Sequence, residues 1–201
     1  MLDKAIVMIG GGKLQMPALR WAREAGLKVL LVDKNKKSNN SCNADEFFNA
    51  SGDNFEQLEN FISRVKEKYN ILGCYCGSDF GLISVAKLNK KLGIEGPDIQ
   101  SVYDCLNKEE AKNKMKQAGL PVVEGITLEE IPNNLSNEFS FPLIVKPLDS
   151  SGSRGVSVAM DDKQFKIAFS NAKKFNAKVL VENYLKGNHI DISGIFINKK
   201  F

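Results

Sequence analysis

The strongest constraint on this chain is a change of pattern near residue 95. Before it, apolar runs alternate with helical segments. KAIVMIGGG (4–12) reads as a buried strand that turns on glycines into a helix at 17–26, opened by Pro17 and closed by Gly26. KVLLVD (28–33) is a second strand, a helix follows at 55–69 with Leu58, Phe61, Ile62, Val65 and Tyr69 at helical spacing, and ILGCYC (71–76) is a further strand before a helix at 80–93. Strand and helix alternating in this way imply parallel strands joined by helical crossovers. Residues 1–95 are therefore expected to form an open parallel Rossmann-like α/β sheet.

Residues 96–119 read as a connecting segment with a helix at 107–119. Asn107 stands at its cap, Glu110 three residues on, and Gly119 and Pro121 at its exit. Beyond it PVVEGITL, PLIVKP, GVSVAM, KVLVENY and HIDISGIFI are strand candidates. One helix lies among them, at 162–176, with Phe165, Phe169, Ala172 and Phe175 along one side. Residues 120–186 are expected to be an α+β subdomain with an antiparallel sheet, and residues 187–201 the start of another.

Charge and cysteine content narrow the chemistry. A net charge of +4, with lysines spread along helices, gives no nucleic-acid footprint, and no apolar run approaches a bilayer span. With the strand pattern starting directly after the N-terminus, the expectation is a soluble, cytoplasmic protein with no membrane partner. Cys42, Cys74, Cys76 and Cys105 form no C-x-x-C pair and the one histidine, His189, is remote in sequence, so no zinc site is expected. Alternation places Cys74 and Cys76 on one strand face, as buried reduced thiols.

Two glycine-rich loops compete for attention. IGGGKLQMP, with Asp33 about twenty residues later, has the outline of a dinucleotide site. With Gly10 and Gly12 as its first glycines, position 15 should be small for close helix–strand approach, but it is Gln15. Lys13 is followed by Leu14, so the Walker-type pattern fails too. A tight strand-to-helix turn accounts for the loop, and its helix N-terminus can still hold an anion.

The second loop lies in FPLIVKPLDSSGSRGVSVAMD (141–161). Small residues let backbone N–H groups surround phosphate oxygens, and Ser150, Ser151 and Ser153 add hydroxyls. Lys146 projects from a strand end, where its charge could contribute several kcal/mol in a partly dried site against about 1 in bulk water. An ordinary hairpin turn is the alternative.

The string K-P-x-D-x-x-G-S-R-G-V resembles the lid loop of the ATP-grasp superfamily. Asn107-Lys108, opening a helix that ends in AGLP, resembles the segment carrying that family's first nucleotide-binding lysine. KVLVENYLKGNHIDISG resembles its hinge strand, and the N-terminal sheet resembles its pre-ATP-grasp domain. The resemblance implies that Lys108 and Lys146 contact ATP, and that the loop Ser150, Ser151, Gly152, Ser153, Arg154, Gly155 closes over the β- and γ-phosphates, with Arg154 as the catalytic charge-neutralising group. It implies that Glu182, Asn183, Tyr184 and Leu185 line the adenine pocket and that His189, assisted by Asp191, contacts ribose; an exposed or structural histidine is the alternative. At the carboxyl edge of the first sheet, Ser78 and Asp79 are candidates for the acceptor substrate, with helix capping the alternative.

Similar enzymes, of the carbamoyl-phosphate synthetase and biotin carboxylase type, join a carboxylate or bicarbonate to an amine through an acyl phosphate, with ATP and Mg²⁺. Their magnesium ligands lie on strands beyond the hinge, so they are expected past Phe201, and none is assigned here. These 201 residues alone are expected not to turn over substrate. The implied partners are ATP and small carboxylate and amine substrates; acceptor identity and oligomeric state stay open, a homodimer among the options. A non-catalytic nucleotide-binding module and an NAD(P)-dependent oxidoreductase are the other readings.

Overall fold

The computed structural model describes residues 1–132, 140–190, 192 and 194. The chain divides into two compact units, Met1–Ala111 and Lys112–Phe201.

The first unit is a four-stranded parallel sheet of β1 (Asp3–Ile9), β2 (Lys28–Val32), β3 (Glu46–Phe48) and β4 (Tyr69–Cys76), in the order β3-β2-β1-β4. Its central strands are apolar at nearly every position because both faces are covered. On one face Met8, Val29 and Leu31 pack against Leu19 and Ala22 of α1 (Met16–Glu24). On the other, Val7, Ile9, Leu30 and Val32 meet Leu58, Phe61 and Val65 of α2 (Phe55–Val65) and Val85 and Leu88 of α3 (Leu82–Lys91). Cys74 and Cys76 are buried free thiols, as their alternation requires. Among the described residues, no group of three or more metal-ligating side chains is present.

Two elements escape the sequence reading. β3 is a three-residue strand with no room for a periodic signal. α4 (Ile99–Leu106) buries only Val102, so its apolar face is faint; its signal is Asp98, whose carboxylate accepts the Ser101 N–H at 3.0 Å.

The second unit holds an antiparallel sheet of β5 (Gly125–Leu128), β6 (Leu143–Pro147), β7 (Ser157–Ala159) and β8 (Val179–Asn183), in the order β5-β8-β6-β7. α6 (Asp162–Lys173) starts at Asp161, whose carboxylate accepts the Gln164 N–H at 2.7 Å. Leu143, Val145, Ala159, Val179 and Val181 pack on Phe165, Ala168, Phe169 and Ala172 of that helix. Period-two alternation therefore turns Ile144, Lys146, Leu180 and Glu182 to the opposite face, away from α6. The predicted strand HIDISGIFI runs into residues outside those described.

The division between the units falls inside α5 (Lys108–Gln117). Its N-terminus is held as expected. The Asn107 side-chain oxygen accepts the N–H groups of Glu109 at 3.0 Å and Glu110 at 3.1 Å.

Candidate nucleotide-binding site

The face of the antiparallel sheet opposite α6 combines apolar residues with a cluster of charge. Lys146 and Glu182 sit diagonally on adjacent strands, two residues apart in register, since Ile144 pairs with Glu182 and Lys146 with Leu180. One Glu182 oxygen is ion-paired to Lys146 and the other to Lys112. The side chains are 23% (Lys146), 17% (Lys112) and 9% (Glu182) exposed, so the three charges interact through a medium less polarisable than water. Burial pushes the Glu182 carboxyl up, but hydrogen bonds from Lys112 and Lys146, with their charges, outweigh it and hold the group below its ordinary value.

Lys112 was not among the candidates. The resemblance pointed to Lys108, the half-buried first residue of α5; Lys112 lies one turn further along that helix. Its signal was the i, i+4 spacing, which puts both lysines on one helix side.

The loop after β6 is built as small residues allow. Gly152, Ser153 and Gly155 take left-handed φ values of 65°, 57° and 77°. Such turns aim successive N–H groups into a concavity suited to anions. Arg154 is exposed, and its Nε donates to the Ser151 carbonyl at 3.1 Å. Ser150 and Ser151 are half-buried. Both ends of the loop are pinned to the segment after α6. The Leu148 N–H donates to the Lys178 carbonyl at 3.1 Å, Asn176 donates to the Asp149 carboxylate, and Gly155 lies against Phe175.

At the exit of β8, the Asn183 N–H donates to the Glu124 carbonyl and the Tyr184 N–H to the Pro142 carbonyl, both at 3.1 Å. Those two N–H groups already serve the sheet. The side chains of Tyr184 and Leu185 are exposed, as is His189, and Asp191 lies outside the described residues.

In the first unit, Ser78 precedes a single 3-10 turn (Asp79–Gly81) but neither residue's side chain caps it. This corrects the capping alternative: the Ser78 hydroxyl is engaged elsewhere, accepting from Gln15 Nε2 at 3.1 Å. Asp79 is exposed at the carboxyl edge of β4. The first glycine loop is closed on itself. Asp33 accepts the N–H groups of Gly11 at 2.6 Å and Asn35 at 2.7 Å, and buried Asn40 donates to the carbonyls of Gly11 and Gly12. The carboxylate that a ribose would need is thus spent on the loop's own backbone, where it also opposes an incoming anion.

With this geometry in place, the relatives of the chain are informative. A family profile described as D-ala D-ala ligase C-terminus matches residues 111–200. D-alanine–D-alanine ligase A of Escherichia coli (strain K12) is 33% identical over 121 residues, which are 57% of this chain and 32% of that enzyme. Among solved structures, an ADP complex of N5-carboxyaminoimidazole ribonucleotide synthetase superposes with a TM-score of 0.73 at 23% identity, covering 92% of this chain and 48% of that one. The L-amino acid ligase of Bacillus licheniformis gives 0.73 at 18% identity, covering 93% and 45%. The chain thus spans under half the length of each of these relatives.

Proposed function

We propose that this chain, whose fold is that of the ATP-grasp ligases, binds the ATP of a ligase joining a carboxylate, or bicarbonate, to an amine or another nucleophile. The observation that carries this reading is the meeting of Lys112 and Lys146 on Glu182, on the sheet face opposite α6 and at the root of the glycine–serine loop. The two similar structures named above are an enzyme solved with ADP and an amino acid ligase.

In this reading the polyphosphate takes Lys146 and Lys112 as counter-charges, and the N–H groups and hydroxyls of Ser150 to Gly155 surround the β- and γ-phosphates. Ile144 and Leu180 provide an apolar floor for the base beside Glu182, with Tyr184 and Leu185 at its rim and His189 toward the ribose. In the first unit, Ser78 and Asp79 are proposed to hold the acceptor.

An acceptor carboxylate oxygen attacks the γ-phosphorus, the bond to the β-phosphate oxygen breaks, and ADP leaves with that electron pair. The nucleophile then adds to the acyl carbon, loses a proton, and expels phosphate. Such transfer depends mainly on alignment and charge neutralisation, which lysines, Arg154 and loop amides supply. Magnesium would supply further charge neutralisation in this chemistry; among the described residues no group of three or more His, Cys, Asp or Glu side chains could hold it.

Calorimetric titration tests the reading. ATP is expected to bind and NADH not, and Lys146→Ala is expected to weaken ATP about 10- to 100-fold, the range for a hydrogen bond to a charged group. Binding of NADH without ATP would overturn the proposal in favour of a dinucleotide site at Gly10 and Gly12. ATP binding with full-length activity absent would favour a non-catalytic module.

A further inference from the structure

Gly125 stands directly opposite Glu182 in the antiparallel pairing of β5 and β8. Its φ is not among the left-handed ones, so its backbone is open to any residue. Space is what excludes a side chain. A Cβ built on Gly125 would lie 2.5 Å from the Val181 carbonyl oxygen, 2.7 Å from Glu182 Cγ and 3.3 Å from Glu182 Cα. Opposed residues in antiparallel sheets ordinarily keep their Cβ atoms about 4.5–5.5 Å apart. Here the stem of Glu182 instead folds across the bare Cα of its partner.

That fold-over matters because Glu182 makes two ion pairs at once. Each of its oxygens serves a different lysine, one on α5 and one on β6. A carboxylate pushed off the β5 side would keep its charge and lose that shared geometry. We infer that Gly125 is a positioning residue for the nucleotide site: its missing side chain leaves the volume in which the Glu182 stem lies, so that one carboxylate reaches Lys112 and Lys146 together. The inference deepens the nucleotide reading above and rests on it for its functional consequence.

The test has two readouts. The first is labelling of lysines with an amine-reactive reagent, mapped by mass spectrometry on the 201-residue chain without nucleotide. Gly125→Ala is expected to raise labelling several-fold at Lys112 and Lys146 while leaving Lys116 and Lys173 unchanged. The second is ADP affinity by competition in wild type, Gly125→Ala, Glu182→Gln and the double variant. Gly125→Ala is expected to weaken ADP about tenfold in wild type and by less than twofold once Glu182 is Gln. Equal losses in both backgrounds, or labelling that does not change, would overturn the inference, because a purely structural glycine acts the same with or without the carboxylate.

Glu182→Asp guards against a Gly125→Ala chain that fails to fold. It leaves β5 untouched and withdraws the carboxylate by one methylene, and it should raise labelling at the same two lysines. Wild-type labelling in this variant would show that placement is immaterial and end the proposal. If wild type binds no nucleotide, the ATP reading falls, and the labelling arm still decides what Gly125 does.

Discussion

Asn89 closes the outer edge of β4 through Cys74: its side-chain oxygen accepts the Cys74 N–H at 2.7 Å and its amide nitrogen donates to the Cys74 carbonyl at 3.2 Å. Among the described residues β4 ends the parallel sheet, so these two backbone groups face no neighbouring strand there. A helix side chain stands in for one. Asn89→Ala leaves a buried donor and acceptor without partners and is expected to destabilise the first unit by about 1–3 kcal/mol. Chemical denaturation followed by the fluorescence of Trp21, which belongs to that unit, would measure it.

The clasp of Glu182 sets an acid limit. Because Lys112 and Lys146 hold its carboxyl below the ordinary value, the folded state favours the ionised form. The stability this contributes is complete above the unfolded pKa, about 4.3, and is lost as pH falls through the lower folded value. Thermal melting from pH 6 to 3 should show Glu182→Gln less stable than wild type at pH 6 and less sensitive to acid. Parallel curves for the two proteins would contradict the clasp.

Two glycines of the glycine–serine loop separate backbone strain from crowding. Gly152, at φ 65°, has nothing near the position of a Cβ, whereas at Gly155, at φ 77°, a Cβ would come 2.7 Å from Phe175 Cδ2 and 2.8 Å from Pro147 Cγ. Gly152→Ala is expected to cost about 1 kcal/mol for conformation alone, and Gly155→Ala about 2–3 kcal/mol. Denaturant midpoints of the two variants give the comparison directly.

Thiol chemistry should divide the four cysteines in half. Cys42 and Cys105 are exposed, while burial pushes the Cys74 thiol up to about 12 and raises that of Cys76 as well. At pH 8 an alkylating reagent is expected to modify Cys42 and Cys105 in the native protein and all four after denaturation. Rapid native modification of Cys74 would show that β4 opens readily.

What the sequence discloses follows from how each feature is encoded. The buried strands β1 and β2 and the amphipathic α2 announce themselves because continuous or periodic burial leaves a periodic trace. α4 leaves little trace with one buried residue, and β3 is shorter than any period. In the charge cluster, Lys146 and Glu182 stand in motif strings, but the third member, Lys112, depends on which side of α5 faces Glu182. That rotation is a tertiary fact. Gly125 was invisible for a related reason: a glycine needed for space rather than for φ resembles any other glycine until its cross-strand partner is known.

Both ends of the glycine–serine loop rest on one segment. Its first residues are tied to Asn176 and Lys178, and its last lies against Phe175. The same stretch runs straight into β8, and four residues after Lys178 comes Glu182. A displacement of that stretch would therefore reach both ends of the loop and the strand bearing the carboxylate together.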